Sequence, residues 1–191
     1  VPLDGTVLMR HPLHILAGSV ALAASIACAT APLSAQGASK PADPSLAAIH
    51  GNWKQVIGFV TASAEELSEA DYAYRPVPTV RSFGELIGHV AGSQNMICAA
   101  ALGDKQPAED AVEKAAKTKA ALVKALRESN AYCEKAYAIP ASQAGMSVEL
   151  FGAPSTRAGA LALNAVHDGE HYGNIITYMR MKGMVPPSSR R

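Results

Sequence analysis

The chain has 191 residues, a net charge of +1 and 49% hydrophobic residues. That is about one domain's worth of sequence, and its balanced charge excludes the basic footprint of a nucleic-acid binder. Its three cysteines include no Cys-x-x-Cys pair, so they do not amount to a disulfide framework.

The first stretch reads as an export signal. Arg10 lies in a short basic segment after Met9, and Ile15 to Ala31 is almost wholly apolar and small. Leu33-Ser34-Ala35 before Gln36 offers a small-residue cleavage site, the pattern of a secretory signal peptide over residues 1–35. Residues 1–8 lie upstream of a start at Met9, unless Val1 is itself an alternative start. A retained N-terminal anchor is the competing reading, since about 17 apolar residues is the lower limit for a span. Ser25-Ile26-Ala27-Cys28 also resembles a lipoprotein cleavage box. With cleavage, the protein is periplasmic or secreted and has no membrane contact. Residues 36–44, rich in Gly, Ala, Ser and Pro, form a linker.

Helical periodicity begins at Ser45. Leu46, Ile49, Trp53, Val56, Ile57 and Val60 recur at three and four, which predicts an amphipathic helix to about Leu67. His50 reads as a surface histidine on its wall. Asp71 to Pro78 holds two prolines, which remove donors and restrict the residues before them, so it is a loop. Ser82 and Glu85 form a capping box that starts a second helix, running to about Leu102. His89 sits in its second turn. Cys98, nine residues on, falls half a turn of the wheel away and faces elsewhere.

Ala108 to Tyr137 reads as one long third helix. Val112, Ala116, Val123, Leu126 and Cys133 form its seam, and its Lys and Glu residues a solvated face. On this reading Cys133 is a small buried hydrophobe. It and Cys98 stay free unless the fold brings their Cα atoms within about 7 Å. Ala141 to Ser155 is a loop long enough to cross the bundle end, and no segment reads as a strand. Ser155 or Thr156 then caps a fourth helix, Arg157 to Lys182, which Gly183 ends. Four helices around one core give an all-α four-helix bundle over residues 45–187, with 188–191 as a tail.

The fourth helix carries the chemistry. His167 and His171 lie one turn apart, with Cβ atoms about 5–6 Å from each other, close enough for both imidazoles to reach one metal ion at about 2.0–2.1 Å. Asn164, Asn174 and Tyr178 share their face. They are candidates to line a pocket, or else they bond to neighbouring helices. Glu170, about 60° round the wheel from His167, is a candidate base or second acceptor at the edge of the site; the alternative is a solvated carboxylate. His-Asp-Gly-Glu-His also spells the His-x-x-Glu-His of inverted metalloproteases, but those need a further Glu ligand downstream, and no acidic residue follows His171.

Arg81-Ser82-Phe83-Gly84-Glu85-Leu86-Ile87-Gly88-His89-Val90, followed by His167 to Ile175 and Tyr178 to Gly183, resembles the DinB-like superfamily of metal-binding four-helix bundles. The resemblance spans Ser45 to Pro187. It implies a bundle with a long crossover connection, often dimeric, and a divalent metal held by His89, His167 and His171. Characterised relatives include bacillithiol-type thiol transferases and a mycothiol-dependent isomerase. An exported member meets little of such intracellular thiols, which argues against a thiol cosubstrate.

Three neutral imidazoles leave at least one coordination position open, as catalytic sites do. Imidazole suits Zn, Ni, Fe or Cu and does not select among them. The sequence therefore predicts a metal-dependent hydrolase or transferase acting on a small molecule. The alternative is a non-catalytic metal-binding or stress-related bundle.

Overall fold

The structure, a computed structural model, describes residues 43–190. The signal segment and nearly all of the linker lie outside the described residues.

Five helices and one hairpin make up the domain: α1 (Pro44–Glu66), α2 (Phe83–Leu102), α3 (Ala111–Ala115), α4 (Lys119–Tyr137), β1 (Ser147–Leu150), β2 (Ala153–Thr156) and α5 (Arg157–Met181). Each long helix starts at a capping side chain. Asp43 accepts from the amides of Ser45 and Leu46 ahead of α1, with Pro44 at the first helical position. Ser82 and Glu85 make the expected reciprocal box on α2. Thr118 caps α4 and Thr156 caps α5.

The long helices pack around one core in the order α1, α5, α2, α4, which puts α1 diagonal to α2 and α4 diagonal to α5. Both diagonal connections are therefore crossovers. Helix α2 is buried on almost every side, as an apolar helix in the centre of a packed domain must be. Trp53, Ile57, Val60, Phe83, Ile87, Leu126, Leu161, Ile175 and Met179 fill the space between the helices.

Three expectations are corrected. The predicted third helix, Ala108 to Tyr137, is two: α3 ends where Ala116 turns extended, and α4 restarts at the Thr118 cap. Its first part lies against α2 with Val112 and Ala116 packed on the core as expected, but Glu109 and Glu113 face His89 instead of forming part of a solvated face. Added Cβ atoms show how close the approach is: at Gly92 one would stand 2.0 Å from the carbonyl oxygen of Glu109, and at Gly88 2.8 Å from Cα of Glu113.

Second, the predicted loop before α5 contains an antiparallel hairpin, β1 to β2, so the domain is mostly helical with a small two-stranded sheet. Its two-residue turn, Phe151-Gly152, has positive φ at both residues, the hairpin geometry that matches strand twist.

Third, Cys98 and Cys133 are not free. They form a disulfide between α2 and α4, with Cα atoms 5.3 Å apart. Both positions are fully buried, as the seam predicts for Cys133, but α2 and α4 are neighbours and bring the two seams together. Closing 35 residues of chain stabilises the fold by roughly 3–4 kcal/mol on the chain-entropy account.

Candidate metal centre

The adjacency of α2 and α5 brings the three histidines into one cluster. Ring centroids lie 4.6 Å apart for His89 and His171, 5.1 Å for His89 and His167, and 4.4 Å for His167 and His171. Each residue offers one ring nitrogen within 4.8 Å of the other two, so the group can hold a metal ion. His89 and His171 are buried and His167 is half-buried.

Nε2 of His167 and Nε2 of His171 stand 3.1 Å apart. Two ligand nitrogens at 2.0–2.1 Å from a tetrahedral zinc would stand about 3.3 Å apart. The donor set and this spacing fit a divalent ion.

The outer nitrogens face polar groups. Nδ1 of His167 is 3.8 Å from Asp168 Oδ1, and Nδ1 of His89 is 3.9 Å from Glu113 Oε2. Both Nδ1 atoms are buried with no hydrogen-bond partner. Nδ1 of His171 lies 3.4 Å from the side-chain amide of Asn174.

Burial sets the charge state. It pushes the His89 imidazole down to about 4 and the His171 imidazole down to about 3, with Arg81 and neighbouring histidines adding to the effect. Both rings are neutral at pH 7 and keep a lone pair for a metal. Burial pushes the Asp168 carboxyl up to about 6, against the pull of His167.

Sequence reasoning missed two sets of residues. One is Asp168, which is fully buried and accepts a hydrogen bond from the indole N–H of Trp53 at 3.1 Å. The same N–H is shared with Gln94 Oε1, also at 3.1 Å. Asp168 stands about 100° round the helix from His167, and its partner comes from α1, so nothing local marks it.

The other is the pair Glu109 and Glu113. Glu109 Oε1 lies 3.9 Å from His89 Nε2 and accepts from the hydroxyl of Ser93 at 2.9 Å. Glu113 takes both contacts from Nε of Arg81 at 3.2 Å. The signal was present: Gly84, Gly88 and Gly92 recur at four along one face of α2, the spacing at which another backbone can approach.

A cleft of about 540 Å³ opens beside the cluster, lined by Arg75, Arg81, Glu85, Glu113, His171 and Asn174, with Tyr178 at its wall. Its arginines are paired: Arg75 with Glu85, Arg81 with Glu113. Tyr178 donates to the carbonyl of Arg81 at 2.8 Å, which fixes the residue that holds Glu113. Asn164 does not line this cleft; it is buried in the core and donates to Tyr137 Oη at 3.2 Å. Glu170 is exposed on the far side of the helix from the core. A larger cleft, about 700 Å³, lies between α1 and α4, among self-paired surface charges such as Arg127 and Glu65 and away from the histidines.

The sequence pattern of the DinB superfamily matches residues 42–175. The chain belongs to the DinB superfamily. No curated protein matches its sequence.

Solved structures agree on the fold of this DinB member. A DinB-like protein of Bacillus cereus superposes with a TM-score of 0.63 at 16% identity, covering 73% of this chain and 93% of its own. A putative DinB-family member of Exiguobacterium sibiricum gives 0.57 at 21% identity, covering 75% and 95%. A DinB-like protein of Bacillus subtilis gives 0.55 at 20% identity, covering 75% and 99%.

Proposed function

We propose that this DinB-superfamily protein is a metal-dependent enzyme that carries out hydrolysis or group transfer on a small polar molecule. The observation that carries the reading is the convergence of three imidazoles, two of them buried and held neutral by that burial, beside an open, polar-lined cleft. His89, His167 and His171 would hold one divalent ion, which would supply Lewis acidity to a substrate oxygen.

The chain's own residues do the rest. Arg81 and Arg75, neutralised by their glutamates, shape the cleft and favour a polar, compact substrate over an apolar one. Glu109 is the carboxylate on the Nε2 side of His89, with one oxygen held by Ser93. Glu109 does not line the cleft itself; its other oxygen accepts a proton at the histidine cluster, beside His89.

Purified protein should take up about one divalent ion per chain, and should turn over a substrate in a metal-dependent screen. His171→Ala abolishes both. Glu109→Gln keeps the metal and lowers turnover by about 10²–10⁴. Absence of uptake by the wild type, or turnover that is indifferent to His171→Ala, sinks the reading.

The place of action is beyond the cytoplasmic membrane. Two features support export: the apolar segment before Gln36, and a buried disulfide of the kind that forms in oxidising compartments. A small-molecule substrate and a homodimer are the expected partners.

A further inference from the structure

We infer that Asp168 is a positioning residue for the metal centre, that it accepts a hydrogen bond from Nδ1–H of His167, and that Trp53 locks it in place. The inference rests on the metal-binding reading above.

The geometry consists of two unsatisfied groups facing each other. Asp168 Oδ1 and His167 Nδ1 are both buried and both lack a partner, and they are 3.8 Å apart. Each buried polar group of this kind carries a desolvation penalty unless something satisfies it. A shift of the His167 ring by less than 1 Å would close the gap to a hydrogen bond. A ring drawn toward a metal through Nε2 must carry its proton on Nδ1, so ligation and the Asp168 contact require the same tautomer.

Asp168 has little freedom to leave. Its other oxygen accepts from Trp53 Nε1 at 3.1 Å. Trp53 is 1% exposed and stacks on Tyr137 at 4.5 Å between ring centroids. The indole N–H is shared with Gln94, whose amide donates to Ser129 Oγ at 3.0 Å and Asn130 Oδ1 at 2.9 Å. The carboxylate is thus braced by α1, α2 and α4 while it faces a ligand on α5. Trp53 is also the chain's one tryptophan, so intrinsic emission reads the contact directly.

Asp168→Asn is the informative substitution. An asparagine carbonyl still accepts from Trp53, so packing survives. Its NH₂ then faces Nδ1 and donates to it, which forces the ring proton onto Nε2, the nitrogen the metal needs. Zn²⁺ and Co²⁺ affinities of the full folded chain are measured by chelator competition, together with the melting temperature of the metal-free form.

The expected result is a tenfold to hundredfold loss of affinity with little change in metal-free melting. Equal affinities in wild type and variant overturn the inference and leave the metal reading intact. No uptake by the wild type overturns both. Should Asp168→Asn fail to fold, the wild type still decides. Zn²⁺, which has no redox chemistry or d-electron preference, should change Trp53 emission as it saturates the site; unchanged emission at saturation overturns the inference.

Discussion

His167 Nε2 and His171 Nε2 face each other across 3.1 Å, one helical turn apart. Without a metal, one ring must donate and the other accept, and a further proton on the accepting nitrogen would set N–H against N–H. Burial adds to this at His89 and His171, whose imidazoles resist protonation in the folded state.

That resistance makes stability pH-dependent. His89 titrates at about 4 and His171 at about 3, below their ordinary 6.5, because of burial. Unfolded, both take protons as pH falls through 6.5; folded, they do not until far lower. The unfolded state binds more protons in that window, so the stability is present above about 6.5 and is lost as pH falls toward 4 and 3. Asp168 works the other way: its carboxyl, raised to about 6 by burial, contributes stability below 3.8 that fades as pH rises through 6. Two histidines outweigh one carboxyl. Melting of metal-free protein should drop between pH 6.5 and 4.5, and His171→Ala should flatten the drop.

Gly92→Ala tests the docking of the Glu109–Glu113 segment on α2. The new methyl would meet the Glu109 carbonyl oxygen at 2.0 Å, and backbone cannot swing aside as a side chain can. The expected cost is roughly 1–3 kcal/mol by urea titration. Displacement of Glu109 should also lower turnover. Gly169→Ala, with nothing within 4 Å of the added Cβ, should instead be tolerated or mildly stabilising.

The double substitution Cys98→Ala with Cys133→Ala should cost about 3 kcal/mol, measured by the same titration. Because both sulfurs are fully buried and bonded to each other, native protein should resist alkylation and reduction, and become labelled only after unfolding in the presence of a reductant. Rapid labelling of the native state would contradict the bridge.

Export predicts a mature chain that starts near Gln36. Mass spectrometry of native protein reads this directly. An intact Met9 or Val1 on soluble protein rules it out, and a lipid on Cys28 identifies an anchored lipoprotein instead.

Much of the architecture was legible because its signals are local. Ser82 with Glu85, the apolar stripe of α1 and the glycine after α5 each announce an element within a few residues. Two ligand candidates were legible because His167 and His171 share one turn; His89 joined them only through the resemblance to the DinB-like superfamily. What escaped depends on which helix neighbours which. Cys98 and Cys133 carry separate seams that meet only because α2 packs on α4. Asp168 looks like an ordinary helical carboxylate until Trp53 arrives from α1. Glu109 and Glu113 look solvated until glycines let them descend onto α2. The hairpin was hidden in a short run whose tip carries Phe151, an uncommon residue at positive φ.

Helix α2 is where the cross-links of the molecule converge. The disulfide fastens it to α4, and the histidine cluster, once loaded, fastens it to α5 across 78 and 82 residues of chain. Helix α1, on the opposite diagonal, has no such cross-link; it is held by packing, by the hydrogen bonds of Trp53 and by polar contacts to α4 such as Arg127–Glu65 and His50–Glu134. The loaded protein is then a tethered three-helix unit with one helix laid against it, and its easiest partial opening is the lifting of α1. Such an opening would strip the indole from Asp168 first and leave the ligands still strung together.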